Sequence, residues 1–199
     1  AGSTLDINAR VQNGGIQKTG TGTLILSGAN TYTGTTNITA GLVRVDNNLG
    51  LGATAGATLV QTGAQLQLDT VAIGAEALTL NGSGIGGSGA LRTGAGSGAN
   101  SWAGNITLGA NAEIEVSSAS SLLLSGTVTG SGRTLTVDGP GNATLSGSTT
   151  LATLNRTGTG TLTLTSAAKT ISTLNVSGGT LTVGTSNIIA DSADLNLSA

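Results

Sequence analysis

The sequence predicts an all-β chain that coils into a parallel β-solenoid, and three observations lead to this prediction. Residues 15–45 recur without a gap 138 residues later, and a long internal repeat is typical of solenoids and related repeat architectures. Apolar residues alternate with polar ones in short triplets along almost the whole chain. Glycine and asparagine separate these triplets at short intervals.

The repeat is the first of these observations. Its second copy spans residues 154–183, so that Lys18 aligns with Arg156 and the segment 20–24 aligns with 158–162. Leu24, Leu26, Gly20, Gly22 and Gly41 keep their residue type in the second copy, whereas Gly34 is replaced by Ser172. The first copy's Asn30 and Tyr32 are replaced by Ala168 and Thr170 in the second. We therefore expect the repeat to build the framework, with the Asn-x-Tyr turn as its dispensable part.

The apolar–x–apolar triplets predict strands. In a strand, side chains i and i+2 share one face while the middle one points away, and Thr, Val, Ile and Leu suit a pleated surface. No stretch shows the i, i+3, i+4 spacing of a helix, so no helices are expected. The triplets are 24–26, 43–45, 66–68, 78–80, 106–108, 114–116, 135–137, 162–164 and 181–183.

Turn residues cut these strands short. Ser27-Gly28, Ser125-Gly126 and Ser146-Gly147 each follow a leucine, and glycine accepts the tight corners of a turn. Strands of three to five residues are shorter than those of a hairpin sandwich. They fit a solenoid in which each strand stacks on its equivalent one rung away, a rung being one full turn of the chain. At ~20–25 residues per rung, the chain holds roughly eight to ten rungs. We expect these side chains inside: Leu24, Leu26, Val43, Val45, Leu162, Leu164, Leu181 and Val183.

The domain organisation predicted is one continuous solenoid over residues 1–199. The glycine-rich stretch 82–100 is the point where this prediction is weakest. It fits a bulged rung or a loosely ordered loop, and the alternative is a flexible linker between two domains. Ile85, Ala90 and Leu91 keep a trace of the strand pattern within it, which favours the continuous solenoid.

The composition excludes several classes of protein. There are 34 glycines and 34 threonines, but charged residues are 8% against the usual ~25%. A mean hydropathy of +0.23 argues against simple disorder, and the absence of cysteine and histidine excludes thiolate and ordinary zinc sites. A net charge of −2 with scattered basic residues argues against nucleic acid as a partner. No apolar run approaches the ~20 residues of a membrane span.

Residues 18–45 resemble the passenger-associated repeat of bacterial autotransporters, the type V secretion system. The positions that carry the resemblance are Lys18, Gly20, Gly22, Leu24, Leu26, Ser27, Gly28, Asn30, Tyr32, Gly34, Thr36, Ile38, Gly41 and Val45. The resemblance implies a right-handed parallel β-helix passenger, exposed on or released from a Gram-negative outer membrane. In that family many members are adhesins. The family's C-terminal membrane barrel is missing from these 199 residues, so membrane contact is expected only through such a barrel.

No residue stands out as catalytic. Serine and cysteine mechanisms lack their His or Cys partner, and Lys18 and Lys169 are expected on a solvated face. Glu113 and Glu115 flank Ile114, and their spacing of about 6.5–7 Å lies within the range of inverting glycosidases. Both are expected to face water, with nothing nearby to raise one pKa over the other. We therefore predict no catalytic, cofactor-binding or metal-binding residues, no cofactor and no enzyme activity.

Three further patterns in the sequence bear on binding. The segment 82–87 formally matches G-x-G-x-x-G, but more glycine follows instead of the helix that a dinucleotide site needs. Trp102 and Tyr32 fit packing residues better than a sugar-stacking platform. The threonine-rich run 157–165 suggests the ladders of β-solenoid ice binders, yet Leu162 and Leu164 interrupt it and the tripeptide does not recur in every rung.

The function expected is that of a non-catalytic segment of a surface-exposed or secreted autotransporter-type adhesin, a rigid stalk with an adhesive face. Binding would use outward Thr, Asn and Ser ladders, with a host-cell surface or glycan as partner. One alternative is a filament-forming module that self-associates by end-to-end stacking, since open solenoid ends expose strand edges. The other is a polysaccharide-acting β-helix enzyme, which would need a cluster of Asp, Arg and Lys that the sequence does not show.

Overall fold

A computed structural model describes residues 2–165, 168–184 and 192–198. Within these residues the chain forms twenty strands and a single 3-10 turn, η1 (Ile85–Gly87), and no helix reaches the length and hydropathy of a bilayer span. The strands are β1 (Thr4–Ile7), β2 (Ile16–Lys18), β3 (Thr23–Leu26), β4 (Thr36–Ile38), β5 (Gly41–Val45), β6 (Ala57–Val60), β7 (Ala64–Leu68), β8 (Ala72–Ile73), β9 (Ala77–Gly82), β10 (Leu91–Thr93), β11 (Gly98–Trp102), β12 (Ile106–Glu115), β13 (Ser120–Leu124), β14 (Val128–Asp138), β15 (Asn142–Leu145), β16 (Thr149–Arg156), β17 (Thr161–Leu164), β18 (Lys169–Val176), β19 (Thr180–Val183) and β20 (Asp194–Leu197).

All strand pairs among the described residues are parallel, and they stack along three sides of a coil. The first side runs β1-β3-β5-β7-β10-β12-β14-β16-β18-β20. The second side runs β2-β4-β6-β9 and continues through the N-terminal halves of β12, β14, β16 and β18. The third side runs β8-β11-β13-β15-β17-β19. The predicted all-β parallel solenoid is confirmed, and its roughly nine rungs lie within the predicted range.

The long strands β12, β14 and β16 each serve two sides. In β12, the first half pairs with β9 and the second half pairs with β10. The register between β12 and β14 shifts after Thr107, and the register between β14 and β16 shifts after Gly130. These irregularities act as β-bulges, which bend a strand, and they carry the chain around the corner between the second and first sides.

The interior is filled by aliphatic side chains from all three sides. Of the eight side chains expected inside, six are buried, while Leu181 is half-buried and Val183 is 43% exposed. The expectation for Val183 was wrong because β19 is the last described strand of the third side, and no described strand covers it. Burial is nearly complete in the rungs between the two ends, as a core of this kind requires, whereas Leu5 of β1 and Leu195 and Leu197 of β20 are exposed.

The glycine-rich segment 82–100 contains η1, β10 and most of β11. Strand β10 pairs with β7 below and β12 above, so hydrogen bonds run through this rung. The side-chain amide of Gln65, one rung below, donates to the carbonyl oxygens of Ser88 and Gly89 at 2.8 Å each. Backbone angles in the left-handed region at Gly84 and Gly89 explain the need for glycine in this loop.

One corner is built from glycine in almost every rung. We call it the glycine column, and its members are Gly14, Gly34, Gly56, Gly104, Gly126 and Gly147. Each lies two residues before a member of one register row of the second side, which includes Ile16, Thr36, Thr58, Ile106, Val128 and Thr149. A Cβ on Gly126 would lie 2.0 Å from the carbonyl oxygen of Gly104, and one on Gly147 would lie 1.9 Å from that of Gly126. Only glycine fits such an approach. In one rung the corresponding position is held by Glu76.

Candidate functional site

The repeat's basic residue lies inside the solenoid. Lys18 is 8% exposed, and its Nζ donates to the carbonyl oxygens of Thr19, Gly20 and Ala40 at 3.1, 2.7 and 3.0 Å. Ala40 belongs to the next rung, so the ammonium group links two rungs. The expectation of a solvated Lys18 was wrong, because the corner after β2 turns several carbonyl oxygens inward and a cation satisfies them.

Arg156, the equivalent residue of the second copy, is also buried, at 1% exposure. Its guanidinium donates to the carbonyl oxygens of Val137, Gly139 and Gly160 at 3.0, 2.8 and 3.3 Å. Lys169, likewise 1% exposed, donates to the carbonyl oxygens of Gly147 and Thr165, and its expected solvation was wrong as well. Burial lowers the pKa of all three cations. These residues hold corners together and leave no basic surface there.

The Asn-x-Tyr turn of the first copy is a buried clamp. Asn30 accepts from the backbone nitrogen of Val11 at 2.8 Å and donates to the carbonyl oxygen of Gly50 at 2.7 Å, which joins three rungs. Tyr32 is fully buried, and its hydroxyl lies 2.7 Å from Oγ1 of Thr36. In the first copy the turn is therefore part of the buried framework. In the second copy the corresponding residues, Ala168 and Thr170, are exposed.

Neither aromatic ring is on the surface. Trp102, like Tyr32, is fully buried, and its Nε1 donates to the backbone carbonyl of Glu76 at 2.9 Å. Both rings therefore act in packing, and neither offers a platform on which a sugar could stack.

The first side gathers four charged residues that are spread over the sequence: Arg92, Glu113, Glu115 and Asp138. Arg92 Nε lies 3.7 Å from Oε2 of Glu115. Burial, and then the negative charges of Asp138 and Glu115, raise the pKa of Glu113. The expectation that nothing nearby would raise one pKa was therefore wrong, because β14 brings a third carboxylate alongside the pair.

We call Arg92, Glu113, Glu115 and Asp138 together the acidic cluster. It lies beside two open grooves, one lined by Glu113 and the other by Glu115 and Asp138. Two carboxylates in different environments are the starting point of acid–base catalysis. Both grooves are shallow surface features without an aromatic residue to hold a sugar ring. Within the described residues, no group of three or more His, Cys, Asp or Glu is arranged to hold a metal ion.

The second side carries a row of five stacked threonines, which we call the threonine column: Thr79, Thr107, Thr129, Thr150 and Thr170. Four of the five are exposed and Thr79 is half-buried. At about 4.8 Å per rung the row extends for about 19 Å. The only hydrogen bond from these hydroxyls within the described structure is a long one, 3.4 Å, from Thr129 to the carbonyl oxygen of Ile106. The column is thus a regular, uncharged surface with free hydroxyl groups.

Sequence reasoning missed this column because the rungs differ in length. Successive members are separated by 28, 22, 21 and 20 residues, so a search at one fixed period does not align them. An apolar residue on both sides of the threonine marks Thr79 and Thr107, but Thr129, Thr150 and Thr170 have glycine, threonine or lysine on one side, so this pattern would have found only part of the column.

The third side carries a second array. Thr161 and Thr163 lie directly below Thr180 and Thr182, while Leu162 and Leu164 point into the core. The leucines therefore do not interrupt the outward row, contrary to the expectation, since alternate residues of a strand face opposite sides. On the first side a ladder of amides runs along the axis, with Asn196 donating to Asn175 and Asn175 to Asn155.

Comparison with known proteins gives one result. The passenger-associated-transport-repeat family matches the chain twice, at residues 16–45 and 154–183. These matches cover under a third of the 199 residues. No curated protein and no solved structure matches the chain.

Proposed function

Since the chain carries two passenger-associated transport repeats, we propose that it is a segment of an autotransporter passenger that serves as a rigid, non-catalytic stalk with an adhesive face. The observation that carries the proposal is the presence of both repeats within one parallel solenoid. The family points to a surface-exposed or secreted protein, and we place this one at the outer surface of a Gram-negative bacterium.

Rigidity follows from the way the rungs are joined. Cations buried at the corners donate to carbonyl oxygens of their own and neighbouring rungs, and the glycine column brings successive backbones into direct contact. A rod whose rungs are joined in this way resists bending between them, which suits a stalk.

The adhesive face of the proposal is the threonine column. Its hydroxyl groups are exposed, uncharged and evenly spaced, which suits many weak contacts to a repetitive, polyhydroxylated partner such as a cell-surface glycan. Individually weak contacts in register add up through multivalency.

The test is binding of the purified chain, displayed in many copies on beads, to cultured cells and to a glycan array. Changing Thr107, Thr129 and Thr150 to lysine on the second side is expected to abolish binding. The matched control changes Thr144, Thr163 and Thr182 to lysine on the third side and is expected to retain it. Equal binding by both variants would contradict the adhesive face, and hydrolysis of any glycan on the array would contradict the non-catalytic role.

A second candidate function is self-association of the rods end to end. Leu5 is 60% exposed at one end, and Leu195 and Leu197 are 59% and 74% exposed at the other. Among the described residues, β1 pairs only with β3 and β20 only with β18, and another strand can pair with a backbone edge that has no partner strand. Sedimentation of the chain over a range of concentrations tests this. The proposal is supported if the rods grow with concentration and Leu197→Lys prevents this growth. The control, Leu123→Lys on the side of the rod, should leave the growth unchanged. A monomer at all concentrations would exclude it.

A further inference from the structure

Among the described residues, Glu76 is the one acidic residue at a corner position that the other rungs fill with glycine. It occupies the glycine column between Gly56 and Gly104, and the backbone of Gly104 packs directly on it, since a Cβ there would lie 1.7 Å from the carbonyl oxygen of Glu76. Its residue exposure is 2%. The side chain is thus enclosed between rungs rather than pointed at solvent.

The surroundings of the Glu76 carboxyl hold little to stabilise a charge. Thr58 Oγ1 donates to Oε1 of Glu76. Thr58 stacks on Thr36, which contacts the hydroxyl of Tyr32, so four polar side chains form a row through an apolar interior. Tyr32 is the only titratable neighbour from the elements packed here, and no described Lys or Arg pairs with Glu76.

We propose that Glu76 is a proton-controlled latch that sets how tightly the middle rungs of the solenoid pack against one another. In its neutral form the carboxyl group fits the interior row. In its ionised form it places a negative charge between rungs with one hydroxyl donor. The contacts that the charge disturbs are those of Thr58 in the rung below and Trp102 in the rung above.

The direction of the pH effect follows from the chemistry of a buried acid. Burial disfavours the carboxylate and raises the pKa of Glu76 to about 7, while an unfolded chain has the ordinary value near 4.5. The folded state therefore holds a proton that the unfolded state has released. The contribution of the Glu76 carboxyl group to the free energy of unfolding is fully present below about pH 4.5. It falls as the pH rises and is lost above about pH 7.

The only tryptophan of the chain reports on this site, because Trp102 Nε1 donates to the backbone of Glu76. Its native-state fluorescence is expected to change with a midpoint near pH 7, and the urea midpoint of unfolding is expected to fall between about pH 5 and pH 8. In Glu76→Gln, which stays neutral, the fluorescence change should disappear and the fall of the urea midpoint should become smaller, because groups such as Glu113, whose pKa burial also raises, still contribute. The variant should be the more stable protein at pH 8. The matched control, Glu113→Gln on the outer face, should keep the fluorescence change.

Two results would overturn the latch: a Glu76→Gln variant that retains the pH dependence of wild type, or a wild-type chain whose fluorescence and stability are flat across this range. Carboxyl-carbon NMR of wild type decides the matter even when the variant does not fold. The chain contains three glutamates, and the resonance of Glu76 must titrate near pH 7, whereas titration near pH 4.5 would refute the proposal. Loss of adhesion plays no part in these readouts, so they are independent of the function proposed above.

Discussion

Lys18 and Arg156 occupy the same position of the repeated motif but lie on different sides of the solenoid. Lys18 belongs to β2 on the second side, whereas Arg156 ends β16 on the first side, in the same register row as Leu24. Each nevertheless donates to the carbonyl oxygens of a corner. The repeat is therefore a local unit of strand, cationic corner and strand, and it can be placed at more than one corner of the coil.

We predict that Arg156→Met destabilises the chain by about 3 kcal/mol, because three backbone carbonyl oxygens lose a charged donor in a buried site. Arg156→Lys should recover most of this loss, since the first copy uses lysine at the same position. Urea unfolding at neutral pH measures both values. Arg133→Met, at an exposed position, is the control and should change the free energy of unfolding by less than about 0.5 kcal/mol.

A methyl group in the glycine column should be costly. Gly126→Ala places a Cβ 2.0 Å from a backbone carbonyl oxygen, and we expect a loss of about 3 kcal/mol or more, at the upper end of overpacking. Gly132→Ala separates crowding from backbone strain, because Gly132 has a φ of +71° but no atom near a Cβ. Its expected cost is about 1–2 kcal/mol. Thermal unfolding of both variants should give this order, and the reverse order would show that conformation, not contact between rungs, fixes the glycine.

The two copies of the repeat should respond differently at the Asn position. Asn30→Ala removes hydrogen bonds to Val11 and Gly50, and the two buried backbone groups left unpaired should cost about 2–4 kcal/mol in total. Ala168→Asn in the second copy restores the motif at an exposed position and should be neutral within about 0.5 kcal/mol. Denaturant melts of the two variants measure this, and a marked stabilisation by Ala168→Asn would show that the second copy can form the clamp.

Tyr32 should make the chain sensitive to strong alkali. Burial raises its pKa to about 12, and the negative charge of Glu76 acts in the same direction. Because the unfolded value is about 10, the folded state keeps a proton that the unfolded state loses, and stability should fall as the pH rises from about 10 to 12. The chain has one tyrosine, so phenolate absorbance follows it directly. Tyr32→Phe should remove this part of the alkaline loss, and phenolate formation near pH 10 in the folded chain would contradict the prediction.

The fold was predictable because it depends on local alternation. Triplets such as those around Leu24 and Leu162 show their period in the sequence, and parallel stacking follows from short strands and glycine corners. The burial of Lys18 was not predictable, since the carbonyl oxygens that it binds are brought together only when the next rung is laid down. Glu76 is a similar case: its neighbours Thr58 and Trp102 are 18 and 26 residues away, and only the register brings Thr58 to its carboxyl group and Trp102 to its backbone carbonyl.

The surface features could not be predicted from the sequence for a related reason. The members of the threonine column share a row although their spacing varies, because the loop at 82–90 lengthens one rung without changing the strands on either side. The even spacing of these threonines along the rod axis is thus kept although the number of residues between them varies. The acidic cluster arises in the same way, since Arg92, Glu115 and Asp138 come from three successive rungs.

The placement of the basic and aromatic residues also determines how the chain meets digestive proteases. Trypsin cuts after lysine or arginine and chymotrypsin after large rings, but Lys18, Arg156, Lys169, Tyr32 and Trp102 are all buried. Arg10 and Arg133 are the exposed exceptions in the described chain, and only Arg10 lies outside a strand. A folded rod of this kind therefore offers trypsin one exposed site outside a strand, at Arg10.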